Sequence, residues 1–240
     1  MSWSARSSPC AASWSATRCS ERHAWLLTWT GKGAHRRGMT VAPTCPRCSG
    51  VVRAPGLMSS DWVCDQHGRV HPYTPSRMEA LTHVTDHARV PVWAPVPLLP
   101  QWTTGGLGSC GDERTGATAT VLALSGPSPV GGPADLLLVA EEPGVGLGAR
   151  TAGIDGFDPG IVLDRAPDAK IIAGGHPTPL WRCESAADRV AFVGEAAGVW
   201  LWAVLWPPAA ELVLLEHVEL HDLRHEVHEL PTGAPSPRLP

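Results

Sequence analysis

Lysine is nearly missing from this 240-residue chain: Lys32 and Lys170 stand against 17 arginines. With abundant Ala, Pro and Gly beside it, that skew reads as GC-rich coding before it reads as a binding signal. The apolar run of about 18 residues that a membrane-spanning helix needs is missing too. The longest run, Ala196 to Trp206, is closed off by Glu195, so no membrane partner is expected. Seven cysteines are too few for a disulfide scaffold of this length. No Gly-x-Ser-x-Gly elbow and no Walker loop occurs, which removes the commonest hydrolase and nucleotide-binding signatures. Positive charge is short where nucleic acid would require it. The net charge is +5 over residues 1–40, +1 over 41–83 and −10 over 84–240. An acidic main domain lacks the basic face that a phosphate backbone demands, so nucleic acid is not an expected partner.

What is present is globular. A hydrophobic content of 43% with 18% charged residues supports one sizeable core or two small domains. The 25 glycines and 24 prolines favour turns and short strands over long helices. Residues 1–38 show neither helical nor strand periodicity. Arg36-Arg37 is not followed by the apolar stretch of an export signal. Met39 reads as the start, and 1–39 as a disordered or wrongly assigned extension.

From Thr44 the text changes character. Cys45 and Cys48 form a C-x2-C pair, and Cys64 and His67 follow as C-x2-H. Zinc takes four N or S donors in a tetrahedron, and a short C-x2-C turn brings two thiolates to one ion. Between the pairs, VVRAP and DWVC can form a hairpin that sets the two turns side by side. Gly50 and Gly68 fall just after the turns, where a positive φ is often needed. GRVHPY can supply a third strand. Residues 40–75 are therefore expected to form a zinc ribbon with a structural Zn2+ on Cys45, Cys48, Cys64 and His67. His71, one strand further on, competes for the fourth place. Three cysteines at metal spacing suit a reducing cytoplasm.

Residues 76–101 read as a short helix and a Pro-rich extended linker packing Trp93 and Trp102 against a domain. His83 and His87 share a helix face, with solvent as their expected surroundings. Over 102–230, TTGGLGSC and ATATVLALS flank GDERTG as a hairpin. ADLLLVAEE, KIIAGG, TPLWRCE and RVAFVGE read as further strands. In GVWLWAVLWP, Trp200, Trp202 and Trp206 alternate with Leu201, Ala203 and Leu205, which predicts a strand buried on both sides. ELVLLEHVELHDL, 211–223, is expected to pair with it as the last strand, and 231–240 to be a disordered tail. The expected fold is α+β: a small N-terminal zinc ribbon, then a mainly antiparallel β-sheet domain with few helices.

Three further patterns invite chemistry. PGVGLGAR matches a relaxed G-x-G-x-x-A, but ARTAGIDGFDP beyond it is too short and too glycine-rich for the long helix of a dinucleotide fold. The reading kept is a glycine-rich loop where backbone packs closely. A ligand of Gly144, Gly146, Gly148 and Arg150 would be an anion. His217, His221, His225 and His228 would share a face on a helix and could hold a metal, although the strand pattern before them opposes a helix. Asp112, Glu113, Glu141, Glu142, Asp155 and Asp158 sit in turns, where solvation is their ordinary role. Cys110 and Cys183 lack a neighbouring base and read as buried thiols.

CPRC, CDQHG, VPVW, GDERTGA, ADLLLVAEEPGVGLGAR, PTPLW and WLWAVLWP together resemble an uncharacterised actinobacterial family with an N-terminal zinc ribbon, over roughly residues 43–240. The resemblance implies a bacterial cytoplasmic protein and supports Met39 as the start. Some relatives carry a phosphotransacetylase label. The expectation is thus a zinc-stabilised module binding a protein partner or small ligand. The alternative is an enzyme acting on an acyl or phosphoryl substrate through the 144–150 loop.

Overall fold

The computed structural model describes residues 41–57, 59–157, 159–160, 165–226 and 228–240. The expectations for residues 1–39 and for Asp158 fall outside these residues. Two sheets are formed. The small one contains β1 (Val52–Arg53), β2 (Val63–Cys64) and β3 (Gly68–Arg69), antiparallel in that order. The large one has ten strands and is antiparallel except at one junction.

The chain leaves the small sheet through β4 (Tyr73–Ser76), a short helix α1 (Leu81–His87) and β5 (Trp93–Pro95). The long strands β6 (Thr103–Asp112), β7 (Gly116–Pro127) and β8 (Pro133–Glu141) follow as a meander, and α2 (Leu147–Ala152) is a single short helix. Next come β9 (Ala169–Ala173), β10 (His176–Cys183), β11 (Val190–Ala196), β12 (Val199–Trp206) and β13 (Glu219–Asp222). Their order across the sheet is β4-β6-β7-β8-β12-β11-β10-β9-β13-β5. The sheet curls so that β5, its last strand, lies back over β7 and β8.

Both faces are buried, which explains the near-continuous apolar runs. Along β8, Leu136, Leu138 and Ala140 join the core inside the curl, and Leu137 and Val139 join the core on the opposite face. Along β12, Leu201, Ala203 and Leu205 point inward while Trp202, Val204 and Trp206 point to the second core. The alternation read from GVWLWAVLWP is thus the alternation observed.

Three expectations change. Residues 211–223 do not form a last strand beside β12. Pro207 and Pro208 withdraw two ladder donors, and Pro208–Leu215 turns into a 3-10 helix instead. Only Glu219–Asp222 is strand, and it pairs with β5 antiparallel and with β9 parallel. The short helix of residues 76–101 forms, and Trp93 and Trp102 are buried, but the extended arm also contributes β5 to the main sheet. Residues 40–240 form one compact unit. Finally, 231–240 is not a loose tail. Its backbone runs beside β6, with Thr104 N–H donating to Pro231 O at 2.8 Å and Gly233 N–H to Thr104 O at 2.8 Å. It covers the part of β6 that β4 leaves open, since β4 pairs only with residues 107–110.

Candidate metal centre

The hairpin of β1 and β2 brings its two ligand turns to one end. Cys45 N–H donates to Gly50 O at 2.8 Å and Ser49 N–H to Cys45 O at 2.9 Å, closing the first turn. Ser49, not Gly50, carries the positive φ of 61° there, and Gly68 carries that of the second turn at 67°. The four donors then converge. Cys45 Sγ lies 3.6 Å from His67 Nδ1, Cys64 Sγ 3.7 Å from His67 Nδ1, and Cys48 Sγ 3.7 Å from Cys64 Sγ. The edges of a tetrahedron built on Zn–S of 2.3 Å and Zn–N of about 2.05 Å are about 3.8 Å between sulfurs and about 3.6 Å between sulfur and nitrogen. Cys45, Cys48, Cys64 and His67 form a group that could hold a metal ion, and His71 is not part of it.

The protonation chemistry of the cluster fits a cation. Burial pushes the Cys45 thiol up to about 11. At Cys64 burial also acts upward, but the Gln66 N–H, the His67 ring, the His67 N–H and Cys45 outweigh it and bring the thiol down to about 6. The opposite directions arise because neighbouring sulfurs compete to carry one negative charge. A positive ion among them lets all three ionise.

Around the cluster the small sheet has little core. Cys45, Val52 and Cys64 are buried, with Cys48, Trp62 and Val70 packed against them. Its position is held by polar ties to the large sheet. Arg47 Nε donates to Val145 O at 3.1 Å, and Arg47 Nη2 donates to Gly144 O. In return Arg150 Nη1 donates to Cys45 O at 3.1 Å and Pro46 O at 3.4 Å, with its guanidinium over the Tyr73 ring. Trp62 Nε1 donates to Asp112 Oδ2 at 3.1 Å, and Arg114 Nη2 to Ser60 O at 2.9 Å.

The groups of the 144–150 loop are engaged within the chain. Arg150 donates to the carbonyls of Cys45 and Pro46, and Gly144 accepts from Arg47 through its carbonyl. Gly148 sits against Trp202, where a Cβ would come within 2.3 Å of the indole. The loop amides face an acid of the chain itself: Leu147 N–H donates at 2.7 Å to the buried Glu141 carboxylate, and the Gly148 and Gly146 N–H groups also bear on it. Sequence reasoning placed Glu141 in a turn. It is the last residue of β8, and the acid-acid pair Glu141-Glu142 hid the buried member.

Elsewhere, His83 and His87 do share a face of α1, with ring centroids 4.4 Å apart. Cys110 and Cys183 are thiols whose pKa values burial raises, Cys183 to about 11. Of the four tail histidines, His221 and His228 come together and His217 and His225 do not. Among the described residues no helix is long and apolar enough to cross a membrane.

A family model spans residues 39–239. The chain belongs to the DUF6758 family. DUF6758 is a family of unknown function, and its match contains the whole Cys/His cluster and every strand of both sheets. No curated protein and no solved structure matches this DUF6758 chain.

Proposed function

We propose that the DUF6758 chain is a zinc protein whose Cys45, Cys48, Cys64 and His67 form a zinc ribbon around one structural Zn2+, and that it acts by binding a partner. The observation that carries the zinc reading is the set of donor separations, 3.6 to 3.7 Å, which are the edges of a zinc tetrahedron. Four protein donors fill that tetrahedron, so the ion has no place for substrate and its role is structural. The binding role is supported by exposed apolar side chains on and beside the small sheet, Val51 at 86% and Leu57 at 106% exposure. The partner is a protein or a small ligand, and the compartment a bacterial cytoplasm, where three reduced cysteines persist. An acyl- or phosphoryl-transfer role through residues 144–150 draws no support, because Arg150 is committed to Cys45 and Pro46.

The test is metal analysis and native mass spectrometry of the full chain, with Co2+ exchanged for the resident ion. One zinc per chain is expected, with thiolate-to-cobalt charge-transfer absorption that disappears in Cys64→Ser. Protein that carries no stoichiometric transition metal yet keeps residues 44–70 ordered overturns the reading.

A further inference from the structure

The second cluster of donors lies far from the first in sequence, where β13 ends. Leu220 is buried inside the curl. The pleat therefore points Glu219 and His221 together to the other face. Beyond the strand the chain reverses, and the reversal is locked. Asp222 Oδ1 accepts from Val92 N–H at 3.1 Å and from Arg224 N–H at 3.1 Å, and Arg224 donates to both carboxylate oxygens of Asp222 and to Arg89 O. This turn returns Glu226 and His228 over His221. Glu226 Oε2 lies 2.8 Å from His221 Nδ1 and 2.8 Å from His228 Nε2. The two imidazoles meet edge to face with centroids 5.5 Å apart.

Two further observations bear on what this arrangement is for. On the far side of the His221 ring, Nε2 faces Glu219 Oε1 at 3.6 Å. At 3.6 Å this is a charge contact and not a hydrogen bond, but it puts a carboxylate on the side of the ring where a metal-ligating imidazole usually finds its support. Next, His228 is part of the wall of a groove of about 650 Å3 that also includes Leu98, Leu99, Trp102 and Leu230. One member of the cluster, His228, thus lines an accessible concavity.

We propose that His221, Glu226 and His228 form a second divalent-metal site, for zinc or an ion of similar softness, with an open coordination position beside the groove. Two imidazoles and one carboxylate suit such ions, and three protein ligands leave the tetrahedron incomplete, in contrast to the closed Cys3His site. Binding through His221 Nδ1 and His228 Nε2 requires the neutral tautomers with the single ring proton on the other nitrogen, Nε2 of His221 and Nδ1 of His228, the proton passing between the ring nitrogens through solvent. The site rests on none of the residues of the zinc ribbon.

The experiment is a Co2+ titration of the full-length, zinc-loaded chain, followed by native mass spectrometry and visible absorption. One added Co2+ per chain is expected, with d–d bands and no thiolate charge transfer. Its affinity should fall by at least about tenfold in His228→Ala and in Glu226→Gln, both outside the regular strands, and stay unchanged in His217→Ala and His225→Ala. The proposal is overturned if no second ion binds. It is equally overturned if the two control variants weaken binding as much as His228→Ala, which would mark an adventitious surface site. Absence of the thiolate bands on cobalt exchange would sink the zinc-ribbon reading while leaving this one standing, so the two fail separately.

Discussion

At the scale of single residues, Glu141 is the most consequential side chain outside the two histidine-containing clusters. It is 1% exposed, and burial raises its pKa from an ordinary 4.5 to about 7, against the opposing N–H groups of Gly148 and Leu147. The folded chain therefore holds a proton that the unfolded chain releases between about pH 4.5 and 7. Stability falls as pH rises through that window, by a total on the order of 3 kcal/mol. Glu141→Gln is expected to flatten this slope, read as urea midpoints at a series of pH values. Arg150 makes the second residue-scale prediction. Its hydrogen bonds to Cys45 O and Pro46 O cross from helix to metal turn, so Arg150→Ala should cost about 1–3 kcal/mol. Lysine should restore only part, since it lacks the planar fork. A urea denaturation series on the three proteins checks both. The sequence marked Arg150 as functional but assigned it an anion, because nothing in PGVGLGAR says which surface lies opposite.

At the scale of elements, the small sheet and the tail behave differently. β1, β2 and β3 contribute only two residues each, and three buried side chains make their core. So little apolar burial does not offset the entropy of ordering the hairpin. Removal of the metal by a chelator is expected to release residues 44–70 as a unit. Limited proteolysis should then cut near Gly56–Ser60 while the long strands stay protected in hydrogen exchange. The tail shows the opposite dependence. Leu239 packs into the outer core, and Arg238 pairs with Asp135 at 3.0 Å while lying over Trp206. Truncation after Leu230 should lower Tm, by about 2–4 °C for each kcal/mol lost, and leave the metal content unchanged. Its disorder was a reasonable reading of PTGAPSPRLP. Proline and glycine bar a ladder of their own, and only the vacant edge of β6 gives such a segment something to bind.

At the scale of the whole molecule, charge and curvature set the behaviour. Residues 84–240 carry a net −10, so single-stranded DNA or RNA should show no salt-dependent binding to the full chain, as measured by fluorescence anisotropy between low and physiological ionic strength. What the sequence determined by itself is whatever depends on neighbours along the chain. The C-x2-C and C-x2-H spacings point to Cys45, Cys48, Cys64 and His67, with His71 left as a competitor, because a short turn sets its two donors close together. The alternation in β12 and the hairpin around GDERTG follow from the period of a strand. Only the tertiary structure decided which distant pieces meet. The curl of ten strands brings β5 beside β13, buries Glu141 on the outer core, and sets Arg47 against the carbonyls of Gly144 and Val145 and Arg150 against those of Cys45 and Pro46. It also folds Glu226 and His228 back onto His221. Such pairings are set by the packing of two buried faces, a property of all the strands together, and no local stretch of residues encodes them.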